Sequence, residues 1–315
     1  MRIVSIAPSR ISLFGGGTDV EPYTSEYGGF VINMAVNIYY KFEMFYDNDL
    51  WDHRAENNVP YGGEQEFVFK ILDNWDLDSM HHTTFKSEYD GIINAGLGAS
   101  ASASVGIVSA VNKRLGLNMS RSELAECAWD IEVKKLNLYG GKQDQIASSF
   151  GGVNAITFGK DVKVQSFPRA SINKIKDSIL LFSTGKTTRH SVLQNNFRIP
   201  TKEQREALHK IKELAQSAVQ PMLDGDWETL GKLLDKSWEL KKQSNTVTTP
   251  EIDNYYKRAK KNGALGFKIC GAGGGGYAIC IVPPKIRDEF IKNMGLEHWD
   301  FEIDYTGVNT RILPK

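Results

Sequence analysis

The sequence predicts an α+β fold, and two kinds of segment support this class. Stretches rich in Val, Ile, Tyr and Phe have the composition of strands and occur in both halves of the chain, the longest at residues 31–46. Apolar residues at helical spacing mark amphipathic helices, most clearly at residues 202–223 and 227–243. Because these strands and helices do not alternate one for one, the pattern indicates an α+β arrangement.

The first half of the chain is expected to contain both kinds of element. Ser120 and Glu123 have the spacing of a capping box, which marks the start of a helix. The predicted elements are, in order, a strand at 2–7 that ends at Pro8, a strand at 31–46, a short helix marked by Phe67, Ile71 and Trp75, a helix after Gly96 and Gly98, the capped helix, and strands at 153–158 and 162–167.

The second half is expected to be richer in helix. Two long amphipathic helices are separated by Asp224-Gly225-Asp226, and a shorter helix begins at Pro250. After residues 266–270 and the glycine run at 271–276, the predicted elements are a strand from Tyr277, a helix near 286–294 and a closing strand at 308–313.

A chain of 315 residues favours two domains that share one extensive interface, divided near residue 168 into residues 1–168 and 169–315. One large α/β domain is the alternative. The 38 basic residues balance 38 acidic ones, so the composition points to neither nucleic acid nor membrane as a partner. The apolar runs are strand-sized, and the start Met1-Arg2-Ile3-Val4 lacks a signal-peptide pattern. Together with three widely spaced cysteines, these features predict a cytoplasmic protein with reduced thiols.

Three glycine clusters carry the functional argument, and the first is Gly15-Gly16-Gly17. The strand before it presents Arg10, and the turn after it is expected to expose Thr18 and Asp19 to a ligand that carries hydroxyl groups. The alternative is a tight turn with no ligand.

The second cluster, Gly96-Leu97-Gly98-Ala99-Ser100, leads directly into a predicted helix. Unpaired backbone N–H groups and the helix dipole favour an anion at such a position, and small residues allow phosphates to approach the backbone. The alternative is an ordinary helix start capped by Ser100.

The third cluster, Gly271 to Gly276, formally matches a dinucleotide fingerprint at residues 271, 273 and 276. That fingerprint requires a following helix, whereas Tyr277 begins a strand-like run. A phosphate-binding loop of the Walker type also fails, because Leu180 stands where its first glycine is required.

Two carboxylates complete the set of candidates. Asp144 follows Gly140-Gly141-Lys142-Gln143 at an apparent helix start, where capping is the simple alternative. Glu132 lies on an apolar helix face, so its carboxylate needs a cation such as magnesium. The alternatives are a salt bridge to a lysine between residues 134 and 142, or simple exposure at the edge of the apolar face.

With the clusters in this order, the sequence resembles the GHMP kinases, a family named for galactokinase, homoserine kinase, mevalonate kinase and phosphomevalonate kinase. The three matching motifs are Pro8-Ser-Arg10 with Gly15-Gly-Gly-Thr18-Asp19, then Gly96-Leu-Gly98-Ala-Ser100-Ala, then Gly271-Ala-Gly-Gly-Gly-Gly276. The resemblance implies a first domain like domain 2 of ribosomal protein S5 and a ferredoxin-like second domain, with ATP and Mg²⁺ in a cleft between them.

The resemblance also implies roles for individual residues. Asp144 and Arg10 would be catalytic, and Ser100 and Glu132 would hold magnesium. ATP would bind at Gly96, Leu97, Gly98, Ala99, Ser100, Ala101 and Ser102. The acceptor would contact Arg10, Gly17, Thr18, Asp19, Asp144, Gly273 and Gly274. The sequence departs from the family at Ala99, where a serine is usual, and this puts one phosphate contact in doubt.

Within the family, the forms Gly141-Lys-Gln-Asp144-Gln and Thr184-Gly-Lys186-Thr-Thr-Arg189 resemble the D-glycero-D-manno-heptose 7-phosphate kinases. Lys186 and Arg189 are therefore expected to bind the phosphate of a small sugar phosphate, the alternative being a solvated basic turn. Other GHMP acceptors such as galactose, fucose or mevalonate remain open, as does a relative that binds sugar and ATP without turnover. The protein is expected to be a monomer or a homodimer.

Overall fold

Two antiparallel sheets form the framework of the protein, as seen in a computed structural model that describes residues 1–46, 64–75, 83–185, 200–244 and 247–314. The first sheet has the order β10-β1-β2-β4-β5, with β3 also paired to β2. Its strands are β1 (Arg2–Phe14), β2 (Gly29–Tyr46), β3 (Thr83–Tyr89), β4 (Val153–Phe158), β5 (Lys163–Ser166) and β10 (Asn309–Leu313).

Strand β1 continues through Pro8, so the expected end of the strand at this residue is wrong. The pairing of β1 with β2 shifts register between Pro8 and Ser9. Proline has no N–H to donate to a ladder and is tolerated at such an irregularity. The longer strand carries Arg10 into the middle of the molecule.

The helices that lie between β1 and β4 along the chain are α1 (Tyr23–Tyr27), α2 (Glu64–Leu72), α3 (Ala99–Leu115), α4 (Arg121–Trp129) and α5 (Gln143–Phe150). Residues 101–111 of α3 are all buried, because small side chains allow this helix to pack closely on β1 and β2. The capping box of Ser120 and Glu123 is confirmed at the start of α4. Helix α4 passes into one π-helical segment, Asp130–Lys135.

The second sheet has the order β7-β8-β6-β9, with strands β6 (Ile179–Gly185), β7 (Gly266–Ile269), β8 (Gly276–Ile281) and β9 (Glu297–Trp299). The accompanying helices are α6 (Arg169–Asn173), α7 (Lys202–Ser217), α8 (Val219–Asp224), α9 (Trp227–Ser244), α10 (Pro250–Lys261) and α11 (Arg287–Met294). Helices connect β6 to β7 and β8 to β9, and this order of strands is that of a ferredoxin-like unit.

The helix expected at residues 202–223 is two helices, α7 and α8, which meet at Ala218. Pro221 explains the break, because its ring would clash with the carbonyl of Ser217 in a continuous helix. In the first turn of α8 the missing N–H of Pro221 costs little.

We propose that the chain divides into two domains near residue 168, between β5 and α6. Strand β10 is the exception, since it pairs with β1 along residues 2–6 and so returns the end of the described chain to the first sheet. Among the described residues, every helix is too short or too polar to cross a membrane.

Candidate active site

A cleft of about 480 Å³ lies where the two sheets and their helices meet. Residues of all three glycine clusters contribute to its walls, the third through Gly271 and Ala272. The lining includes Arg10, Ser12, Gly16, Gly17, Asp19, Gly96, Gly98, Ala99, Ser100, Ala101, Glu132, Asp144, Gln145, Lys241, Lys268, Gly271 and Ala272.

The second cluster forms the start of α3 and presents backbone donors to the cleft. Gly98 is the N-cap residue, with φ +74°, and the helix has no side-chain cap. The alternative in which Ser100 caps this helix is therefore wrong, since Ser100 lies within the first turn. The unpaired N–H groups of this turn and the dipole of a 17-residue helix suit a phosphate group.

The predicted ATP-binding residues separate into two groups in the structure. Gly96, Gly98, Ala99, Ser100 and Ala101 line the cleft. Leu97 instead belongs to the hydrophobic core, and Ser102 is fully buried with its hydroxyl donating to the carbonyl oxygen of Ala99.

Arg10 and Asp144 form a two-pronged ion pair beside Gly98. Arg10 Nε donates to Asp144 Oδ1 at 2.6 Å, and Arg10 Nη2 donates to Asp144 Oδ2. Arg10 Nη1 donates to the carbonyl oxygen of Gly96 at 2.5 Å, which ties the pair to the second cluster. Burial lowers the pKa of Arg10, but the charge and hydrogen bond of Asp144 outweigh it, so the pKa is raised.

Asp144 does not cap α5, so the simple structural alternative for this residue is wrong. The N-cap of α5 is Lys142, and no side-chain cap is formed there. Asp144 thus places a carboxylate in the cleft within the first turn of α5. A carboxylate at this position can accept a proton from a hydroxyl group bound in the cleft.

Asp19 is a second buried carboxylate, only 5% exposed, rather than the exposed residue that we expected. Its Oδ1 accepts from Gln143 Nε2 at 3.0 Å, and its Oδ2 from the Gln143 N–H at 3.3 Å. Burial and then the charge of Asp144 raise the pKa of Asp19 to about 6. A Cβ at Gly141 would lie 1.9 Å from Asp19 Oδ2, so glycine is required there.

Thr18 is fully buried, which corrects the expectation that it is exposed on the turn. Its hydroxyl donates within the turn, toward the carbonyl oxygens of Gly15 and Phe30, and accepts from the Phe30 N–H. The hydroxyl is thus used to hold the turn, whereas Gly17 lines the cleft.

Glu132 lies in the π-helical segment, is 4% exposed, and accepts a hydrogen bond of 2.6 Å from Gln145 Nε2 at Oε2. Burial raises the pKa of Glu132 to about 7, against hydrogen bonds from Gln145 and Ser100 that lower it. The salt-bridge alternative is wrong for the two nearby lysines that form ion pairs: Lys134 pairs with Asp130 and Lys142 with Glu126.

The oxygen atoms around Glu132 suit a hard divalent cation. Glu132 offers a carboxylate, Ser100 a hydroxyl in the same cleft, and the buried Oε1 of Gln145 has no hydrogen-bond partner within the described part of the chain. Within that part, no three His, Cys, Asp or Glu side chains form a metal cage of their own. Such a site fits Mg²⁺ shared with phosphates.

The third cluster packs against the second. A Cβ at Gly96 would lie 2.6 Å from the carbonyl oxygen of Cys270, and one at Gly271 would lie 2.7 Å from Gly96 Cα. Gly273 and Gly274 contact Val247 instead, since the Gly274 N–H donates to its carbonyl oxygen at 2.8 Å. Strand β8 follows the cluster directly, which agrees with our rejection of a dinucleotide fingerprint.

Comparison with known protein families decides the class of protein. The profile described as GHMP kinases N terminal domain matches residues 68–152, and that described as GHMP kinases C terminal matches residues 205–300. The chain belongs to the GHMP kinases. It is therefore an ATP-dependent kinase, which confirms the family and activity predicted from the three motifs.

The relatives of this GHMP kinase include several sugar kinases. A D-glycero-alpha-D-manno-heptose 7-phosphate kinase of Campylobacter jejuni is 29% identical, over 96% of this chain and 97% of the relative. A galactokinase of Pyrococcus furiosus is 27% identical over 89% of both chains. The crystal structure of a D-glycero-D-manno-heptose 1-phosphate kinase from Bacteroides thetaiotaomicron has a TM-score of 0.78 at 25% identity, over 99% of this chain and 100% of that one. The chain is a GHMP sugar kinase.

Four basic residues concern the GHMP kinase site, two predicted from the sequence and two found in the structure. Lys186 and Arg189, predicted to bind a substrate phosphate, lie outside the described residues. Lys241 and Lys268 line the cleft, but we did not predict from the sequence that they belong to the site. The only sequence signal was the position of Lys268, three residues before the glycine that opens the third cluster.

Proposed function

We propose that this kinase transfers the γ-phosphate of ATP to the anomeric hydroxyl of D-glycero-D-manno-heptose 7-phosphate, giving the 1,7-bisphosphate. The observation that carries phosphoryl transfer is the Arg10–Asp144 pair beside the first turn of α3. The choice of acceptor is supported by the full-length similarity to the heptose 7-phosphate kinase of Campylobacter jejuni.

Asp144 acts on the acceptor in this proposal. The bond between the γ-phosphorus and the ADP oxygen breaks as a bond to the anomeric oxygen forms, and the hydroxyl proton goes to Asp144. Arg10 fixes the carboxylate through two hydrogen bonds, so little reorganisation is needed when the acceptor arrives.

Arg10 also supports the phosphoryl group. Its ion pair and its bond to Gly96 use three of the five N–H donors of the guanidinium, which leaves two for oxygen atoms of the phosphate. These donors stabilise the charge that builds up during transfer. The first turn of α3 holds the phosphates of ATP, through backbone N–H groups at Ala99 and Ser100.

The sugar lies on the side of Gly17 and Asp19 in this proposal. Asp19 is held by Gln143 and can accept hydrogen bonds from sugar hydroxyls, while Gly17 and Gly16 allow close approach. Gly273, Gly274 and Thr18 would act on the acceptor through the shape of their loops, because their described contacts are to the protein itself.

Ser100 and Glu132 would hold Mg²⁺, with Gln145 orienting the carboxylate of Glu132. The ion supplies neutralisation of phosphate charge when bound. The protein provides the oxygen ligands and a buried position for them.

A panel of acceptors tests the proposed substrate. ADP release is measured with heptose 7-phosphate, heptose, galactose, fucose and mevalonate at matched concentrations. The proposal expects the highest kcat/KM for heptose 7-phosphate, by about tenfold or more over heptose, because a charged phosphate contact is worth about 1.5 to 3 kcal/mol. Equal rates on heptose and heptose 7-phosphate would contradict it, and no turnover with any acceptor would favour a non-catalytic relative.

A further inference from the structure

Lys268 is a buried cation that the proposed mechanism does not yet use. It lies on β7, is 4% exposed and lines the cleft. Its Nζ donates to the carbonyl oxygens of Ser12 at 2.8 Å and Leu13 at 3.1 Å. Across the described ranges it forms no ion pair, and its hydrogen bonds go only to these two neutral groups.

The charge of this ammonium group is therefore poorly compensated. Arg10 is already paired with Asp144, and Lys241 adds a further positive charge nearby. The carboxylate of Asp19 attracts Lys268 less strongly than Lys241 repels it. Burial, followed by the repulsion from Lys241, lowers the pKa of Lys268 to about 7. A buried charge without a partner is unfavourable, so an anion that enters the cleft would gain more from Lys268 than from a cation already paired.

The position of Lys268 indicates which anion this is. Ser12 follows Arg10 by two residues on β1, a separation of about 7 Å along a strand, and both residues line the cleft. Gly16 and Gly17 lie beyond Ser12 on the acceptor side. Lys268 is thus on the acceptor side of the Arg10–Asp144 pair. An ammonium group has three N–H donors, and only two are used.

We propose that Lys268 is a further catalytic residue, which donates its third N–H to a non-bridging oxygen of the phosphoryl group as that group moves from ADP to the acceptor. The bond to ADP breaks, the bond to the acceptor oxygen forms and the hydroxyl proton goes to Asp144, while Lys268 keeps its own proton. This role rests on the proposed phosphoryl transfer but not on heptose 7-phosphate as the acceptor. Together, Lys268 and Arg10 would stabilise the negative charge of the phosphoryl group from two sides during transfer.

Lys268→Met tests the role with kinetics and with a transition-state mimic. We expect kcat to fall about 100-fold, with the KM for ATP within about threefold of the parent. In calorimetry, binding of ADP with aluminium fluoride should weaken about tenfold or more, while binding of ADP alone changes less than about threefold. Lys268→Arg should recover part of both losses.

Lys212→Met is the matched control. Lys212 also donates to two consecutive backbone carbonyls, those of Tyr27 and Gly28, and it does not belong to the cleft lining. If Lys268 served only to bridge backbone carbonyls, both variants would lose stability, and neither would lose more affinity for the mimic than for ADP. We expect Lys212→Met to keep kcat and binding of the mimic within about twofold of the parent.

Lys268→Gln separates charge from hydrogen bonding if Lys268→Met does not fold, because an amide can still donate to Ser12 and Leu13. We expect this variant to fold, and we expect its affinity for the mimic to fall as much as that of Lys268→Met. Folded Lys268→Met or Lys268→Gln with kcat within threefold of the parent, or with equal losses for ADP and the mimic, would overturn the role. A failure of the proposed acceptor is distinguishable, because heptose 7-phosphate would then give no turnover while the discrimination between mimic and ADP persists.

Discussion

The carboxylates of the cleft are held in place by other protein groups before any ligand binds. Arg10 donates two hydrogen bonds to Asp144, and Gln143 donates one to each oxygen of Asp19. In phosphoryl transfer, catalysis comes mainly from positioning and from stabilising charge, so such prior order reduces the cost of reaching the transition state.

Asp144→Asn removes the proposed acceptor of the hydroxyl proton. We expect turnover to fall about 100-fold or more with the KM for ATP little changed, because Asp144 acts on the hydroxyl and not on the nucleotide. Steady-state kinetics measure both, and a thermal melt checks folding, since Arg10 loses its buried partner. Asp161→Asn, at an exposed position, is the control. Normal turnover in folded Asp144→Asn would remove this residue from the mechanism.

Glu132→Gln tests the proposed magnesium site. An amide is a poor ligand for a hard cation, so we expect the magnesium concentration for half-maximal activity to rise about tenfold or more. Binding of Mn²⁺, followed by electron paramagnetic resonance with ADP present, should weaken in parallel. Glu126→Gln, which removes an exposed partner of Lys142, provides the control. Unchanged metal binding would assign Glu132 a purely structural role.

Asp19→Asn should make the stability of the protein without ligand less dependent on pH, while impairing substrate binding. The pKa of Asp19 in the folded state is about 6, above its ordinary value of 3.8. The folded state therefore binds a proton that the unfolded state has lost, and the contribution of Asp19 to stability is lost as pH rises from about 4 to about 6. Urea unfolding should show the stability of the variant relative to the parent rising by about 1 to 3 kcal/mol between pH 3.5 and pH 7. An equal change at both pH values would contradict this assignment.

Sequence patterns identified most charged residues of the site but not their partners. Arg10 and Asp144 are 134 positions apart, and their pairing depends on how β1 and α5 pack, which local spacing does not reveal. Lys268 was missed for a related reason. A lone lysine in a strand is usually exposed, and only the fold shows that this one reaches the carbonyls of β1.

At the scale of elements, the glycine clusters allow backbone segments to lie close to one another and to neighbouring side chains. Gly98 has φ +74°, and a Cβ there would lie 3.2 Å from Asp144 Oδ2 and 3.4 Å from Arg10 Cζ. The same residue is the N-cap of α3 and borders the Arg10–Asp144 pair. A side chain at this position would fill the space where, in the proposed mechanism, phosphate meets the helix.

Gly98→Val should abolish nucleotide binding while leaving a folded protein of reduced stability. The loss arises because the valine blocks the first turn of α3, and a left-handed backbone adds about 1 to 2 kcal/mol of strain. Fluorescence titration with ADP measures the affinity. Gly159→Val is the control, since Gly159 has no left-handed φ and a Cβ there meets open space. Retained ADP affinity in Gly98→Val would show that the cluster is only a turn.

Element boundaries could be predicted wherever local chemistry sets them. The capping box at Ser120 and the start of α10 at Pro250 lie as expected. The predicted boundary at Pro8 was wrong, because pairing with β2 continues β1 beyond a residue that usually ends a strand. The single helix predicted at 202–223 was also wrong, because its apolar pattern runs across two helices that meet at Ala218. Strand β3 was not predicted, although Phe85 and Ser87 are buried between the exposed Lys86 and Glu88, because Thr, Ser and charged residues leave this segment with little apolar content.

At the scale of the molecule, the candidate active site lies where the two sheets and their helices come together. The first and second glycine clusters belong to the first sheet and its helices, and the third joins β7 to β8 of the second sheet. The order of the three motifs predicted the family and a shared cleft. It did not predict that β10 crosses back to β1, because long-range strand pairing leaves no local signal.

Phosphorus NMR of the reaction with heptose 7-phosphate and ATP shows which hydroxyl group receives the phosphate. We expect loss of the γ-phosphate signal, growth of ADP signals, and a new phosphomonoester signal coupled to the anomeric proton, beside an unchanged signal from the 7-phosphate. ATP that stays intact with this sugar, or a new phosphate coupled to any other proton, would contradict the account.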